Sequence, residues 1–272
     1  MTREFLETLK CRYLAYADTF RENGELPLMM RLKLEHTQKV VEAAVAILAG
    51  ESAPDALRPI GEACAWLHDT GRYEQLAKYG TFRDADSVDH ADFGVSVIEK
   101  QGWLDSLPEA ERRMALDSVR YHNKREIPDG LPEQTVWLTH LVRDADKLDI
   151  FRVLECSVQD RSLEDHPEIA WGLPVNGLPS ANVAESVCAG RSVPYAWIKN
   201  LADFVLIQVG WLNGGLHFRT SLRLADERGA LAFRRVFLKR ICPPEARAVG
   251  EAEIDRICDH VQARMRQRLE AG

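Results

Sequence analysis

Two adjacent residues, His68 and Asp69, carry the first sign of chemistry in this chain, closing the apolar stretch Cys64-Ala65-Trp66-Leu67 ahead of Thr70-Gly71-Arg72. An imidazole and a carboxylate one residue apart, about 100° around a helix, both reach a cation lying off the helix end. The dipeptide alone is equally compatible with a plain helix C-terminus, a histidine beside a glycine stop. Four further residues answer it: His36, His90, His122 and Asp146. Each falls on or at the end of a stretch with helical periodicity, the arrangement by which helical bundles build metal sites from facing side chains. Four imidazoles and two carboxylates without a thiolate suit five- or six-coordinate Fe or Mn better than a tetrahedral structural zinc. They are also numerous enough for two ions, provided one carboxylate bridges.

The elements that must hold these residues are helical. Apolar side chains recur at helical spacing from Phe5 to Phe20 until Gly24 and Pro27 interrupt the pattern, and it resumes over 28–48 with His36 on the stripe of Leu32, Val40, Ala43 and Ile47. Ile60 to His68 forms the helix that delivers the pair. Residues 73–89 read as an irregular excursion whose length marks a loop with a task, and Thr81, Phe82 and Arg83 are placed in it as a lid. A helix begins near the capping residues Ser87 or Asp89 and runs to Gly102; another spans Pro108 to Tyr121, before the breaker-rich 127–132. The longest helical pattern, Glu133 to about Gln159, puts Asp146 and Asp149 three apart on one face with Arg143. An irregular connection over 160–195 precedes helical stretches at about 195–225, 228–241 and 251–269. No alternating strand pattern appears, so the expected fold class is all-α.

Bulk properties narrow the partners. The 272 residues bury a sizeable core without staples, and a 46% hydrophobic, 28% charged composition is that of an ordinary globular protein. A formal charge of -7 argues against a basic groove for extended nucleic acid. Six cysteines lack a Cys-x-x-Cys spacing, giving neither a thiolate zinc site nor a disulfide framework, and point to a reducing cytoplasmic setting. The first 22 residues lack the apolar run of a signal peptide, and the longest apolar run, near 204–212, is too short to span a bilayer.

The order His, His-Asp, Asp resembles the HD-domain metal-dependent phosphohydrolase superfamily over roughly residues 28–155. Leu34-Glu35-His36-Thr37 is similar to its first histidine motif, His68-Asp69-Thr70-Gly71-Arg72 to its His-Asp-x-Gly-Lys/Arg signature, and Ala145-Asp146-Lys147-Leu148 to its last motif. The last likeness selects Asp146 over Asp144. Asp89-His90-Ala91-Asp92-Phe93-Gly94 and Tyr121-His122-Asn123-Lys124 resemble the two-metal branch, distantly the HD-GYP phosphodiesterases. Asn123 replaces the second histidine there, the Gly-Tyr-Pro is missing, and Leu32 stands where some members carry a glutamate.

This resemblance implies an all-α HD bundle at 28–160, with an N-terminal helix (1–27) packed on it and a C-terminal helical extension (161–272). It implies metal one on His36, His68, Asp69 and Asp146, metal two on Asp69, His90 and His122, and Asp69 as the bridge. The ions would be Fe or Mn, with Mg, Ni, Co or Zn as alternatives, and would activate water for attack on phosphorus. The activity implied is hydrolysis of a nucleotide or other small phosphomonoester or phosphodiester. Asp69, Arg72 and Lys147 take catalytic roles, and Arg72, Asn123, Lys124 and Lys147 contact the phosphorylated substrate. Asp149 is either an acceptor orienting a ligand histidine or a helix-surface acid. His140, His166, His217 and His260 fit no motif and read as structural or exposed. The same ligand order also resembles the mixed-valence di-iron oxygenases, of the myo-inositol oxygenase and phosphonate-cleaving types. A non-catalytic binding module ranks last, since no ligand position is missing. Residues beyond 160 are left for a partner or a homo-oligomer contact.

Overall fold

The computed structural model describes residues 1–271, and no β-strand occurs among them; a single bridge, Glu22 to Glu25, closes the turn after the first helix. The fold is all-α. Its chain divides into two compact units, Met1–Asp149 and Ile150–Gly272.

The first unit holds α1 (Arg3–Asp18), α2 (Leu28–Gly50), α3 (Arg58–Leu67), α4 (Gly71–Tyr79), α5 (His90–Lys100), α6 (Glu109–Tyr121) and most of α7 (Glu133–Gln159). Helix α3 is its axle. Eight of its ten residues, Pro59 to Gly61 and Ala63 to Leu67, are buried, because α1, α2 and α6 all pack against it. A helix apolar over most of its circumference belongs inside, and only Arg58 and Glu62 reach the surface. Gly61 lets α7 come close: a Cβ there would lie 2.7 Å from the Leu141 side chain. On the α1 side, Tyr13 stands against Trp66, Tyr73 and Trp103 at 5.6 to 6.5 Å between ring centroids, in the tilted and edge-on geometries aromatic quadrupoles favour. This ties the N-terminal helix to the segments on either side of His68-Asp69.

Two sequence expectations change here. Residues 73–79, expected within an irregular excursion, belong to α4, which starts at Gly71 immediately after the His68-Asp69-Thr70 turn and ends at Gly80 in the left-handed conformation, φ +67°. Gly71 is therefore not a helix stop but the first residue of the next helix. Only a hydrogen fits at its α-carbon, since a Cβ would lie 2.6 Å from the Gly94 backbone nitrogen and would also strike the His90 carbonyl. The expected cap at Asp89 is present: its carboxylate accepts from the Ala91 and Asp92 amides and starts α5 at His90.

The second unit continues α7 and adds α8 (Ser162–Asp165), α9 (Ala181–Cys188), α10 (Leu201–Gly210), α11 (Arg219–Glu227), α12 (Ala230–Arg240) and α13 (Arg247–Glu270). The helix expected over 195–225 is instead α10, a π-helical turn at Trp211–Gly215 and α11. Gly210, Gly214 and Gly215 weaken the middle of that stretch, and a periodicity count passes over them. At the centre of this unit Arg234 is wholly buried. It donates to Glu155 Oε1 (2.7 Å), Gln208 Oε1 (3.0 Å) and the Phe151 carbonyl (3.0 Å), so the buried guanidinium is paired and hydrogen-bonded. No described helix is long and apolar enough to cross a membrane, and all six cysteines are unpaired.

Candidate metal centre

Four helix ends or helix faces of the first unit deliver four histidines to one buried spot. His36 lies on the inner face of α2, His68 follows α3, His90 opens α5 and His122 follows α6. All four are nearly inaccessible, between 0 and 6% exposed. Burying four imidazoles is costly unless their nitrogens are used. Each ring has its Nδ1 committed outward: His36 to Asp149 Oδ2 (2.7 Å), His68 to the Ala65 carbonyl (2.8 Å), His90 to Asp84 Oδ2 (2.5 Å) and His122 to the Val119 carbonyl (2.6 Å). These acceptors assign the proton to Nδ1 and leave the Nε2 lone pair for a ligand, the pattern of metal-binding histidines.

The Nε2 atoms converge in pairs, His36 with His68 at 3.4 Å and His90 with His122 at 3.2 Å. Two lone pairs do not approach so closely for their own sake; a shared cation or proton is what the geometry accommodates. Asp69 stands between the pairs and shows each a different oxygen. Its Oδ2 is 3.6 Å from His36 Nε2 and 3.5 Å from His68 Nε2, and its Oδ1 is 3.5 Å from His90 Nε2. Two ligand triads result, His36-His68-Asp69 and Asp69-His90-His122, each with its ligand atoms within 4.8 Å of one another. Asp146, on α7, brings Oδ1 to 3.1 Å from His36 Nε2 and 4.0 Å from His68 Nε2, on the first triad's side. The residues form a buried His/Asp cluster with the donor chemistry of a transition-metal centre.

Burial and neighbouring charges shift the groups of the cluster in different directions. Burial raises the Asp69 carboxyl, but Lys33, His68 and Arg72 more than offset it and hold it well below the usual carboxylate range. Burial, reinforced by His90 and His68, pushes His122 down to about 3; burial and Arg72 push His90 down as well. Both rings of the second triad are thus neutral at neutral pH. His36 moves the other way: burial and Lys33 lower it, and its hydrogen bonds to Asp146 and Asp149 outweigh them.

The remaining residues singled out from the sequence separate by what they touch. Arg72 Nη1 donates to Gln75 Oε1 (2.8 Å), the Phe82 carbonyl (2.5 Å) and Asp84 Oδ1 (2.8 Å), with Nε 3.4 Å from Asp69 Oδ1. Lys147 is half-buried among the charges of Asp144, Arg143 and Asp146, and burial lowers its pKa. Lys124 donates to Asp89 and Asp92, both at 2.6 Å, bracing the first turn of α5. Asn123 Nδ2 donates to Asp89 Oδ1 (3.1 Å), while its Oδ1 is buried without a donor. Phe82 lies 5.7 Å from the Lys33 ammonium and 5.8 Å from the Arg72 guanidinium, both over its ring. Of the expected lid residues it is the one in contact with these cations.

Two residues of the site went unmarked in the sequence. Lys33, one turn before His36, places its ammonium 2.7 Å from Asp69 Oδ2. Its i,i+3 spacing to His36 was the available signal. Asp84 orients His90, receives Arg72 and Gln75 Nε2 (2.9 Å), and sits in the short 3-10 turn Asp84–Asp86. No local pattern distinguishes it from Asp86, two residues later. Asp149 resolves to the orienting role. These acceptors give a direct expectation: Asp84→Asn weakens metal binding to the second triad by about 10–100-fold, the usual cost of losing an orienting carboxylate. The first triad keeps its affinity, and stepwise metal titration followed by equilibrium dialysis separates the two. Equal weakening at both would show that Asp84 acts on the fold and not on His90.

Comparison of the chain with protein-family models, with curated proteins and with solved structures gives no match, so the reading of this centre rests on its own residues and their geometry.

Proposed function

We propose that this protein is a metal-dependent phosphohydrolase of the HD type, acting on a nucleotide or another small phosphoester. One observation carries the reading: four buried Nε2 atoms arranged in two pairs around the two oxygens of Asp69. His36, His68, Asp69 and Asp146 would hold one divalent ion, and Asp69, His90 and His122 the second, with Fe or Mn preferred by an N/O donor set without sulfur. Ions held there would supply Lewis acidity and a water of lowered pKa.

The protein's own groups do the rest. Burial holds His90 and His122 below the ordinary imidazole range, and the Nδ1 acceptors of all four rings leave Nε2 facing the site. Lys33 and Arg72 place two positive charges beside Asp69, and a phosphoryl group arriving there meets them as counterions. Arg72 is already braced by Asp84 and Gln75, so it is preorganised and loses little freedom on meeting substrate. Lys147 adds a third cation on the Asp146 side. Asn123 Oδ1 is buried without a donor, next in sequence to His122. Lys124, spent on Asp89 and Asp92, serves the substrate only by holding the start of α5.

The test is a screen of the Mn- or Fe-loaded protein against aryl phosphates, phosphodiesters and nucleotides, with Lys33→Ala beside the wild type. Hydrolysis is expected, with kcat/KM lowered in Lys33→Ala by roughly tenfold to a hundredfold, the scale of one charge-assisted contact of about 1.5–3 kcal/mol. No turnover of any phosphoester, together with iron-dependent oxygen uptake, would move the protein to the di-iron oxygenase reading.

A further inference from the structure

A second concave site lies wholly within the second unit, apart from any residue of the metal centre. It is a cavity of about 420 Å³ formed between the end of α9, the π-helical turn Trp211–Gly215 and one face of α13. That volume falls in the range of small-molecule sites. Its walls are built, not incidental. Asn213 is buried and its amide donates to the Val187 carbonyl (2.7 Å) and the Cys188 carbonyl (3.1 Å), which pins the π turn to α9. Gly190 and Gly214 let the two backbones meet: a Cβ on Gly214 would lie 3.0 Å from the Gly190 carbonyl oxygen. π turns inside helices frequently mark functional positions.

Every charged group in the lining is basic. Helix α13 presents His260, Arg264 and Arg268 at four-residue spacing, hence on one face, and no carboxylate lines the cavity although the chain as a whole carries -7. Like charges four apart weaken a helix, so helix stability does not account for the row. Two of the three are held in place by the cavity wall. Arg268 donates to the Leu216 carbonyl (2.5 Å) and the Leu212 carbonyl (3.5 Å), and His260 Nε2 donates to the Cys188 carbonyl (2.9 Å). Arg264 makes one long contact, 3.5 Å to Gln267. An exposed guanidinium thus stands over a preformed cavity beside a second, anchored one.

We infer that this cavity binds a small phosphorylated molecule, its phosphoryl oxygens taken by Arg264 and Arg268 with His260 alongside. Guanidinium forks match phosphoryl oxygens two at a time, and two of them with an imidazole match a dianion better than a single carboxylate. The remaining volume takes the organic part of the ligand. Cys188, half-buried in the same lining, supplies a local reporter.

The test uses the full chain treated with chelator, so that the metal centre holds no ion. AMP, inorganic phosphate and citrate are titrated by calorimetry into the wild type, Arg264→Glu and, as a control for surface charge, Arg228→Glu. AMP is expected to bind more tightly than phosphate, and phosphate more tightly than citrate. Arg264→Glu should weaken AMP at least tenfold and Arg228→Glu less than twofold, Arg264 being exposed and its exchange harmless to folding. AMP should also slow alkylation of Cys188 by iodoacetamide at least threefold and leave Cys11 unaffected, read by peptide mass spectrometry. Equal binding of AMP and phosphate, citrate as tight as AMP, unchanged affinity in Arg264→Glu, or an unprotected Cys188 each overturns the assignment.

Discussion

Asp69→Ala is expected to leave the protein without bound metal at either triad, whereas His90→Ala or His122→Ala removes only the second ion and His36→Ala principally the first. The asymmetry follows from the carboxylate's position. Oδ2 faces His36 and His68, Oδ1 faces His90, and no other carboxylate in the cluster faces both pairs at these distances. Loss of a shared ligand should exceed the roughly 10–100-fold that loss of an orienting neighbour costs. Metal content measured by mass spectrometry after purification without added metal decides it, with circular dichroism to confirm the helical fold. The control is needed because Asp69 also receives the Lys33 ammonium at 2.7 Å, and its removal strands a half-buried charge. Asp69→Asn keeps the volume and a weaker oxygen donor, so it should fold as the wild type and still lose most metal. Full metal occupancy in Asp69→Ala would refute the bridge.

The second large effect is expected at Gly71. Replacing a glycine inside a helix by alanine ordinarily stabilises, by about 0.4–1 kcal/mol, through the unfolded chain. Here the sign reverses. The added methyl would sit 2.6 Å from the Gly94 nitrogen and 3.0 Å from its Cα, and it would strike the His90 carbonyl, all of them backbone atoms that no rotamer change removes. Helices α4 and α5 must separate, at a cost of about 3 kcal/mol, the upper end of overpacking penalties. His90 is the first residue of α5, so the second triad should weaken along with stability. Gly94→Ala meets its nearest neighbour at 3.1 Å and should cost markedly less. Urea unfolding of the two variants, with metal content measured alongside, gives the ranking. A Gly71→Ala protein as stable as the wild type would mean the α4–α5 contact yields freely and does not position His90.

How far these features were legible from the chain depends on the range of the forces involved. The helix carrying His36, the cap at Asp89 that starts the helix of His90, and the stretch ending at His122 rest on periodicity and capping, which act within one or two turns. Periodicity placed the candidate histidines and His68-Asp69 on helices or helix ends, whereas the choice of Asp146 over Asp144 came only from the likeness of Ala145-Asp146-Lys147-Leu148 to a family motif. The helix at 71–79 was not. A glycine following His68-Asp69-Thr70 has the local signature of a C-cap, while its cause, the approach of α5 to within van der Waals contact, lies twenty residues further on. The break of 195–225 into α10, a π turn and α11 escaped because apolar spacing carries through glycines that soften the backbone.

The roles of the polar residues divide along the same line. Residue type and order determined that imidazoles and carboxylates would gather on helices and that sulfur would take no part. Tertiary structure alone decided which acid does what. It set Asp84 and not Asp86 against His90, turned Asp149 into the acceptor for His36, committed Lys124 to Asp89 and Asp92, and brought Lys33 onto Asp69. It also gathered His260, Arg264 and Arg268 beside a cavity lined by Asn213, Gly190 and Gly214, where α9 meets the π turn. Helix formation is a local equilibrium that a short window of sequence encodes. The partner of a charged side chain is set by which helices pack, a consequence of the whole buried surface.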